Sequence, residues 1–433
     1  AEWLSDENGH WRICSVCEER HDDGAHTYAD GACSVCGYLE QVPYTDGIQL
    51  ELAEDGKSYI VSEYTGESTE IVIPSAYKGL PVTVIAKNTF YGKAITSVVV
   101  PGSVKELTQA FYYCPELISI TLGAGISVIG DYAISYCTKL TTVTLPSTVK
   151  TISNYAFYND AALTSVTLNE GLEQINESAF RQSGVTSLTV PSTLKSISKL
   201  AFYACAGLTA VDFGTASVEI GEQAFQSCTA LVSLNFERSP AVLQANAFYG
   251  CNAITEINTG AVKDINGAFY KCSGITKVTL ESGLQTMGEN AFRECPNLSS
   301  VKILSSALEI VGKNAFYKCT KLKTVEFAKG LKEIGASAFC ETALGSVSLP
   351  DSVKIIGSYA FAANASMTRL DMGDGVEKIG MCAFRNCTNL ATIIASDTIK
   401  IIDRYSVSSS KPAVWAFDGT AWYDNQSDGL VYI

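Results

Sequence analysis

Four cysteines near the N-terminus form the best-organised chemical group in the chain. Cys14, Cys17, Cys33 and Cys36 give C-x2-C-x15-C-x2-C, the spacing with which two knuckles offer four thiolates to one zinc ion. Gly37 allows the tight turn after the second pair. The segment is short and polar, so a metal or a crosslink has to supply what a hydrophobic core cannot. A structural zinc is the expectation, and four thiolates would close its coordination sphere against catalysis. Two disulfides, which export would permit, and a redox-active pair are alternatives that the spacing leaves open. His10, His21 and His26 can also ligate, but they read as solvated loop residues.

Nine further cysteines recur three residues after a periodic Phe: Cys114, Cys137, Cys205, Cys228, Cys251, Cys272, Cys295, Cys319 and Cys387. Asp160, Ser183, Thr342 and Asn364 take the same slot elsewhere, so the position wants a small side chain. Buried free thiols packing as small hydrophobes are expected there. Beyond residue 26 the chain contains no histidine, which removes most acid–base and nucleophile chemistry. It shows no Gly-rich phosphate loop, no nucleophile triad and no calcium-loop pattern. The reading is that it is not an enzyme. A net charge of −14 argues against nucleic acid or an anionic membrane as partner, and no apolar run is long enough to span a bilayer.

Two outward strips can bind. One follows the Phe beat by one residue: Tyr91, Tyr112, Tyr158, Arg181, Tyr203, Tyr249, Tyr270, Arg293, Tyr317 and Arg385. Tyr and Arg are the types enriched at binding hot spots, although stacking from rung to rung would also account for them. The other strip lies on a strand face. Its early rungs carry Ser and Thr (Ser119, Thr121, Thr142, Thr144), and its later rungs carry charge (Asp212, Glu256, Lys277, Lys302, Glu326, Arg369, Asp371).

The elements that must position these residues are repeats. A Phe, mostly preceded by Ala, recurs from Phe90 to Phe384 in fourteen beats spaced 21 to 24 residues apart, with Ile134 substituting once. In the unit LTSVTLNEGLEQINESAFRQSG (163–184), Val166 and Leu168 share one face of a short strand. Pro or Asn then turns the corner, as at Pro101, Pro146, Pro191, Pro350 and Asn169. Leu172 and Ile175 form a second inward segment, and the S-x-x-A-F run reads as one short helical turn with a Ser or Asn cap. One such unit cannot outweigh its own chain entropy, so stacking must supply a continuous core.

The pattern is written almost in full at LTTVTLPSTVKTISNYAF (140–157) and VTSLTVPSTLKSISKLAFYAC (185–205). It resembles the BspA-like class of bacterial leucine-rich repeats over roughly residues 80–403. The resemblance implies a mainly β, right-handed leucine-rich-repeat solenoid of about fourteen repeats with a parallel sheet along the array. It also implies a surface-displayed or secreted protein, placed extracellularly, that adheres to a protein or glycan partner, host-derived partners included. A structural spacer within a larger modular surface protein is the alternative. A monomer with no membrane insertion is expected.

The flanks divide the chain. Residues 1–43 are the zinc-ribbon-like segment, 44–85 a β cap over the first rung, 86–403 the solenoid and 404–433 an aromatic segment. In that last segment Trp415, Phe417, Trp422 and Tyr423 can lid the final rung, while the strand-like DGLVYI favours a chain cut inside a further module. Ala1 reads as the start of a processed chain.

Overall fold

A computed structural model describes residues 3–13, 20–29, 32–40, 42–395, 397–403 and 416–420. The chain forms two compact units, Ala1–Val185 and Thr186–Ile433. Every regular element among the described residues is a strand.

The first unit opens with a small head. Strand β1 (Trp3–Asp6) pairs antiparallel with β2 (Gly9–Ile13), and β2 pairs antiparallel with β3 (Arg20–Gly24). Strands β4 (Tyr28–Ala29) and β5 (Ala32–Cys33) make a hairpin. A cap follows, in which β6 (Ile48–Leu52) runs antiparallel to β7 (Tyr59–Tyr64). Strand β8 (Glu70–Val72), from the run TEIVIP, pairs in parallel with Ser97–Val100, and that strand with Ser119–Leu122. Strand β9 (Ala76–Tyr77) is antiparallel to β10 (Leu80–Ile85), which lies parallel to β7 and completes the cap.

From there each turn gives one rung to each of two parallel ladders. In the first unit the outer ladder includes Thr142–Thr144 beside Ser165–Thr167, in register. The second ladder runs Glu106–Leu107, Val128–Ile129, Thr151–Ile152 and Gln174–Ile175. The second unit repeats this, for example with Glu256–Asn258, Lys277–Leu280, Ser300–Ile303 and Thr324–Glu326 in one ladder. Alternation explains the outer strand: Val143 is buried between the exposed Thr142 and Thr144. Where Gly closes the second segment, neighbouring rungs nearly touch. A Cβ on Gly357 would lie 2.6 Å from the Ala336 nitrogen.

The periodic Phe residues form the core. In the second unit Phe202, Phe225, Phe248, Phe269, Phe292, Phe316, Phe339, Phe361 and Phe384 stack with centroids 5.1 to 5.6 Å apart and near-parallel planes. Phe417 extends this column, 5.1 Å from Phe384 and tilted by 4°. It therefore occupies a rung, not a lid, after a gap of 33 residues. Trp415, Trp422 and Tyr423 lie outside the described residues. In the first unit Tyr64 of the cap heads the column, 5.5 Å from Phe90, so the cap closes the open end with a ring of its own.

The expected helical turn does not form. Residues two before and two after the Phe take left-handed backbone, as at Tyr155 (φ 56°) and Asn159 (φ 59°), or Gln223 (φ 59°) and Ser227 (φ 62°). A left-handed residue cannot continue a right-handed helix. The alternation turns every second N–H along the array. Tyr155, Phe157 and Asn159 donate to the carbonyls of Glu177, Ala179 and Arg181 in the next rung. A helix would keep those donors to itself; the corner uses them to join rungs.

The cysteine slot does more than pack. Eight of its thiols donate to the Phe carbonyl one rung back, as with Cys114 to Phe90 at 3.0 Å, Cys251 to Phe225 at 3.2 Å and Cys272 to Phe248 at 3.0 Å. The same carbonyl already accepts the N–H of its own rung's slot, as with Cys228 to Phe225 at 3.2 Å, so both lone pairs are used. Asn364 does likewise with its amide, which donates to Phe339 and Phe361 at 2.8 Å each. Burial pushes the Cys272 and Cys319 thiols up to about 12.

Candidate functional site

The left-handed corner decides which side chains face solvent. Phe points into the core, and on most rungs the residue after it stands half out on a ridge, Ser135 and Ala362 being buried. In the first unit Tyr91 lies 5.5 Å from Tyr112, and the Arg181 guanidinium sits 5.9 Å from the Tyr158 ring. Four further tyrosines join them. Tyr132 stacks on Tyr155 at 4.8 Å, and Tyr136 meets Tyr158 edge-on at 5.2 Å. Tyr113 lies 6.0 Å from Tyr91. Burial, helped by Tyr158, pushes the Tyr136 phenol up to about 12.

In the second unit the ridge brings together Tyr249, Tyr270, Arg293 and Tyr317. Tyr249 and Tyr270 meet edge-on at 5.1 Å. Arg293 lies 5.4 Å from the Tyr270 centroid and 5.2 Å from that of Tyr317, bridging two rungs. Lys271 sits 5.8 and 5.3 Å from the Tyr249 and Tyr270 rings, and a hydrogen bond to Tyr249 raises its pKa. Tyr317 donates to Glu341 at 2.9 Å, which raises the phenol's pKa. Beside these residues runs an open groove of about 630 Å³, whose walls include Tyr249, Asn252, Lys271, Glu294 and Lys318. Tyr203 is half-buried, and Arg385 pairs with Asp418 at 3.7 Å.

The charged strand face neutralises itself. Glu256 pairs with Lys277 and Lys302 with Glu326, each at 3.5 Å across adjacent rungs, while Asp212 accepts from Asn235 at 2.9 Å. Such exposed pairs stabilise little, but they leave that face without a field of one sign.

The head gathers a second cluster. Of the four expected zinc thiolates, Cys14 and Cys17 lie outside the described residues. Cys33 and Cys36 form the expected knuckle, closed by Gly37 (φ +75°), whose N–H donates to the Cys33 carbonyl at 2.9 Å. The structure corrects the solvated-histidine reading for two of the three residues. His10 is buried on β2, because Gly24 opposite leaves room for its ring, and it meets the Trp3 ring at right angles with centroids 5.0 Å apart. His26 stacks on Tyr38 at 4.4 Å. The donor atoms of His10, His26, Cys33 and Cys36 all lie within 4.8 Å of one another. Burial works to raise the Cys33 thiol, yet backbone hydrogen bonds at Cys36, Val35 and Thr27 and the His26 side chain bring it down to about 5.

The model of the BspA type leucine rich repeat region (6 copies) matches residues 83–209, 195–310 and 303–413. The chain belongs to the BspA type leucine-rich-repeat family. A leucine-rich repeat protein from Bacteroides ovatus shares its fold at 23% identity, with a TM-score of 0.66 over 82% of this chain and 98% of that one. A leucine rich repeat protein of T. pallidum is 27% identical over 44% of this chain and 91% of its own, with a TM-score of 0.41. A leucine rich cell surface protein from Faecalibacterium prausnitzii is 24% identical over 82% and 94%, with a TM-score of 0.39. No curated protein matches. Among the described residues no helix is long and apolar enough to cross a membrane.

For this BspA type array, following only the residue after each Phe missed Tyr113, Tyr132, Tyr136 and Tyr155. They occupy the left-handed positions two residues either side of the beat. The signal was there, since Gly92, Gly250 and Gly267 hold the same positions with φ of 67 to 69°.

Proposed function

We propose that this chain is a non-catalytic interaction scaffold displayed outside the cell, binding a protein or glycan partner at the aromatic and cationic ridge. The observation that carries the reading is the groove whose walls include the Tyr249 ring and the cations Lys271 and Lys318, with Tyr270 packed against Tyr249 and Lys271. Flat aromatic surface lost from water at low entropy cost suits either a peptide or the apolar face of a sugar ring. Membership in a repeat family whose stacked rungs make extended surfaces supports a binding role.

A spacer role is the second reading. It is favoured by the way ridge residues already satisfy one another, with Arg293 between two rings and Tyr317 on Glu341. The test is a glycan array and a panel of purified extracellular proteins, probed with the chain and with a Tyr249→Ser/Tyr270→Ser variant of unchanged circular dichroism. Loss of a hit by tenfold or more in the variant supports the ridge. Hits that persist unchanged refute it, and no hit with either protein favours the spacer.

A further inference from the structure

We infer that His10, His26, Cys33 and Cys36 together form a tetrahedral zinc site that closes the head. This donor set differs from the four-thiolate set that the spacing suggests, and it does not depend on the ridge being a binding surface.

Distances come first. His10 Nδ1 lies 3.6 Å from Cys33 Sγ, and His26 Nδ1 lies 3.5 Å from Cys36 Sγ. A zinc ion with bonds of about 2.3 Å to sulfur and about 2.05 Å to nitrogen, at tetrahedral angles, holds S and N about 3.6 Å apart. Two edges of such a tetrahedron are thus already in place, and the remaining donor pairs lie within 4.8 Å, close enough to close on an ion.

The outer shell agrees. His26 Nε2 is 2.6 Å from the Asp6 carbonyl oxygen, which can only accept. The ring proton therefore sits on Nε2, and the Nδ1 lone pair faces Cys36, just as a carbonyl behind a ligating histidine fixes its tautomer in metal sites. Packing makes the room. A Cβ on Gly24 would lie 3.1 Å from His10 Nε2, and one on Gly9 would lie 2.3 Å from the Gly24 carbonyl oxygen. Two nitrogens with two thiolates in a tetrahedron select zinc over the oxygen-seeking cations. Four protein donors leave no open position, so the role is structural.

The consequence reaches the array. His26 stacks on Tyr38, and Tyr38 covers Gly79 between β9 and β10, where a Cβ would lie 2.3 Å from its ring. The ion would hold the knuckle and β2 together, and Tyr38 would carry that rigidity into the cap.

The test uses the full chain, loaded first with zinc and then with cobalt(II). Plasma mass spectrometry should count one zinc per chain. The cobalt form should show a tetrahedral spectrum with the thiolate charge-transfer intensity of two sulfurs. Alkylation read by peptide mass mapping should spare Cys33 and Cys36 and modify Cys14 and Cys17, until a chelator exposes the first pair. His26→Gln and Cys36→Ser should each lose most of the metal, while Cys14→Ser/Cys17→Ser keeps it. Four-sulfur intensity with Cys14 and Cys17 protected would overturn the assignment, as would a His10→Gln/His26→Gln chain that still binds one zinc. A folded chain that binds no metal, or that has lost four titratable thiols to disulfides, would overturn it too. The alkylation pattern needs no variant, so a misfolded mutant cannot blur the result.

Discussion

Asp160 occupies a slot that elsewhere holds a hydrogen-bond donor, and replacing it with Asn should stabilise the first unit. The residue is fully buried. Its Oδ1 accepts the Cys137 N–H at 2.7 Å, while Oδ2 has no hydrogen-bond partner. Burial holds its pKa well above the usual carboxylate range, against the opposing pull of the Cys137 amide. The native protein therefore keeps the proton after the unfolded chain has lost it. Between those two pKa values native stability falls as pH rises, by about 1.4 kcal/mol per pH unit. Below about pH 4 both states hold the proton, and the penalty vanishes.

Asn364 shows what an amide does in this slot. Its nitrogen donates to two Phe carbonyls, and its oxygen accepts from Thr342 and from the Leu344 N–H. An amide at position 160 can keep the Cys137 bond and turn its nitrogen to the carbonyls of its own and the preceding rung. Satisfying the orphaned atom is worth roughly 1–3 kcal/mol. Urea unfolding of wild type and Asp160→Asn from about pH 5 to about pH 7 should show a stability difference that widens with pH. It should approach the slope above for as long as the native acid stays protonated. The exposed Asp397→Asn serves as control for the lost charge. A pH-independent difference, or a variant less stable than wild type at neutral pH, would refute the reasoning.

The cysteine slot makes two further predictions. Cys251→Ala should cost about 1–2 kcal/mol, because it empties a packed position and removes the second donor to the Phe225 carbonyl. Cys251→Ser should cost less, because Ser183 stands in the same slot of another rung. Thermal denaturation compares the two, and equal losses would mean that the thiol only packs. The thiols that burial keeps protonated also predict alkaline instability. Above about pH 9 the unfolded chain ionises, while native Cys272, Cys319 and Cys387, all pushed up to about 12, do not. Each such group lowers stability by about 1.4 kcal/mol per pH unit, and circular dichroism should record cooperative unfolding before about pH 11. A chain that keeps its native spectrum there would refute it.

The Phe beat was legible because one ring per turn must meet the ring above it at about 5 Å, and that demand tolerates little variation in rung length. Phe417 escaped because a 33-residue detour hides the beat, although the doublet Ala416-Phe417 repeats it. The corner was misread for a different reason. Residues spaced three apart make the same i to i+3 hydrogen bonds in a helical turn and in a β-turn, as from Tyr158 N–H to the Tyr155 carbonyl at 3.2 Å. What separates the two is where the remaining N–H groups point, and Tyr, Gln and Ser in left-handed positions do not announce that direction. The head was half legible. Cysteine spacing locates the Cys33–Cys36 knuckle, but that His10 lies beside it follows from the pairing of β2 with its neighbours, and that is a property of the sheet.

The same corner links stacking to recognition. Alternating left- and right-handed backbone sends every second N–H along the array, and by the same geometry it sets the intervening side chains outward at one edge. Stacking requires the backbone pattern but leaves the outward side chains chemically free, so a ridge is available wherever rungs stack. In the first unit tyrosines fill it and pack mainly on one another; in the second, cations interleave with rings and a groove opens beside them. Side chains that pack on one another lose contact area to a ligand, whereas a ring and a cation lining a concavity keep theirs. A partner should therefore respond to changes at Tyr249 and Tyr270 and be indifferent to changes at Tyr132 and Tyr155, whose loss should register in stability instead.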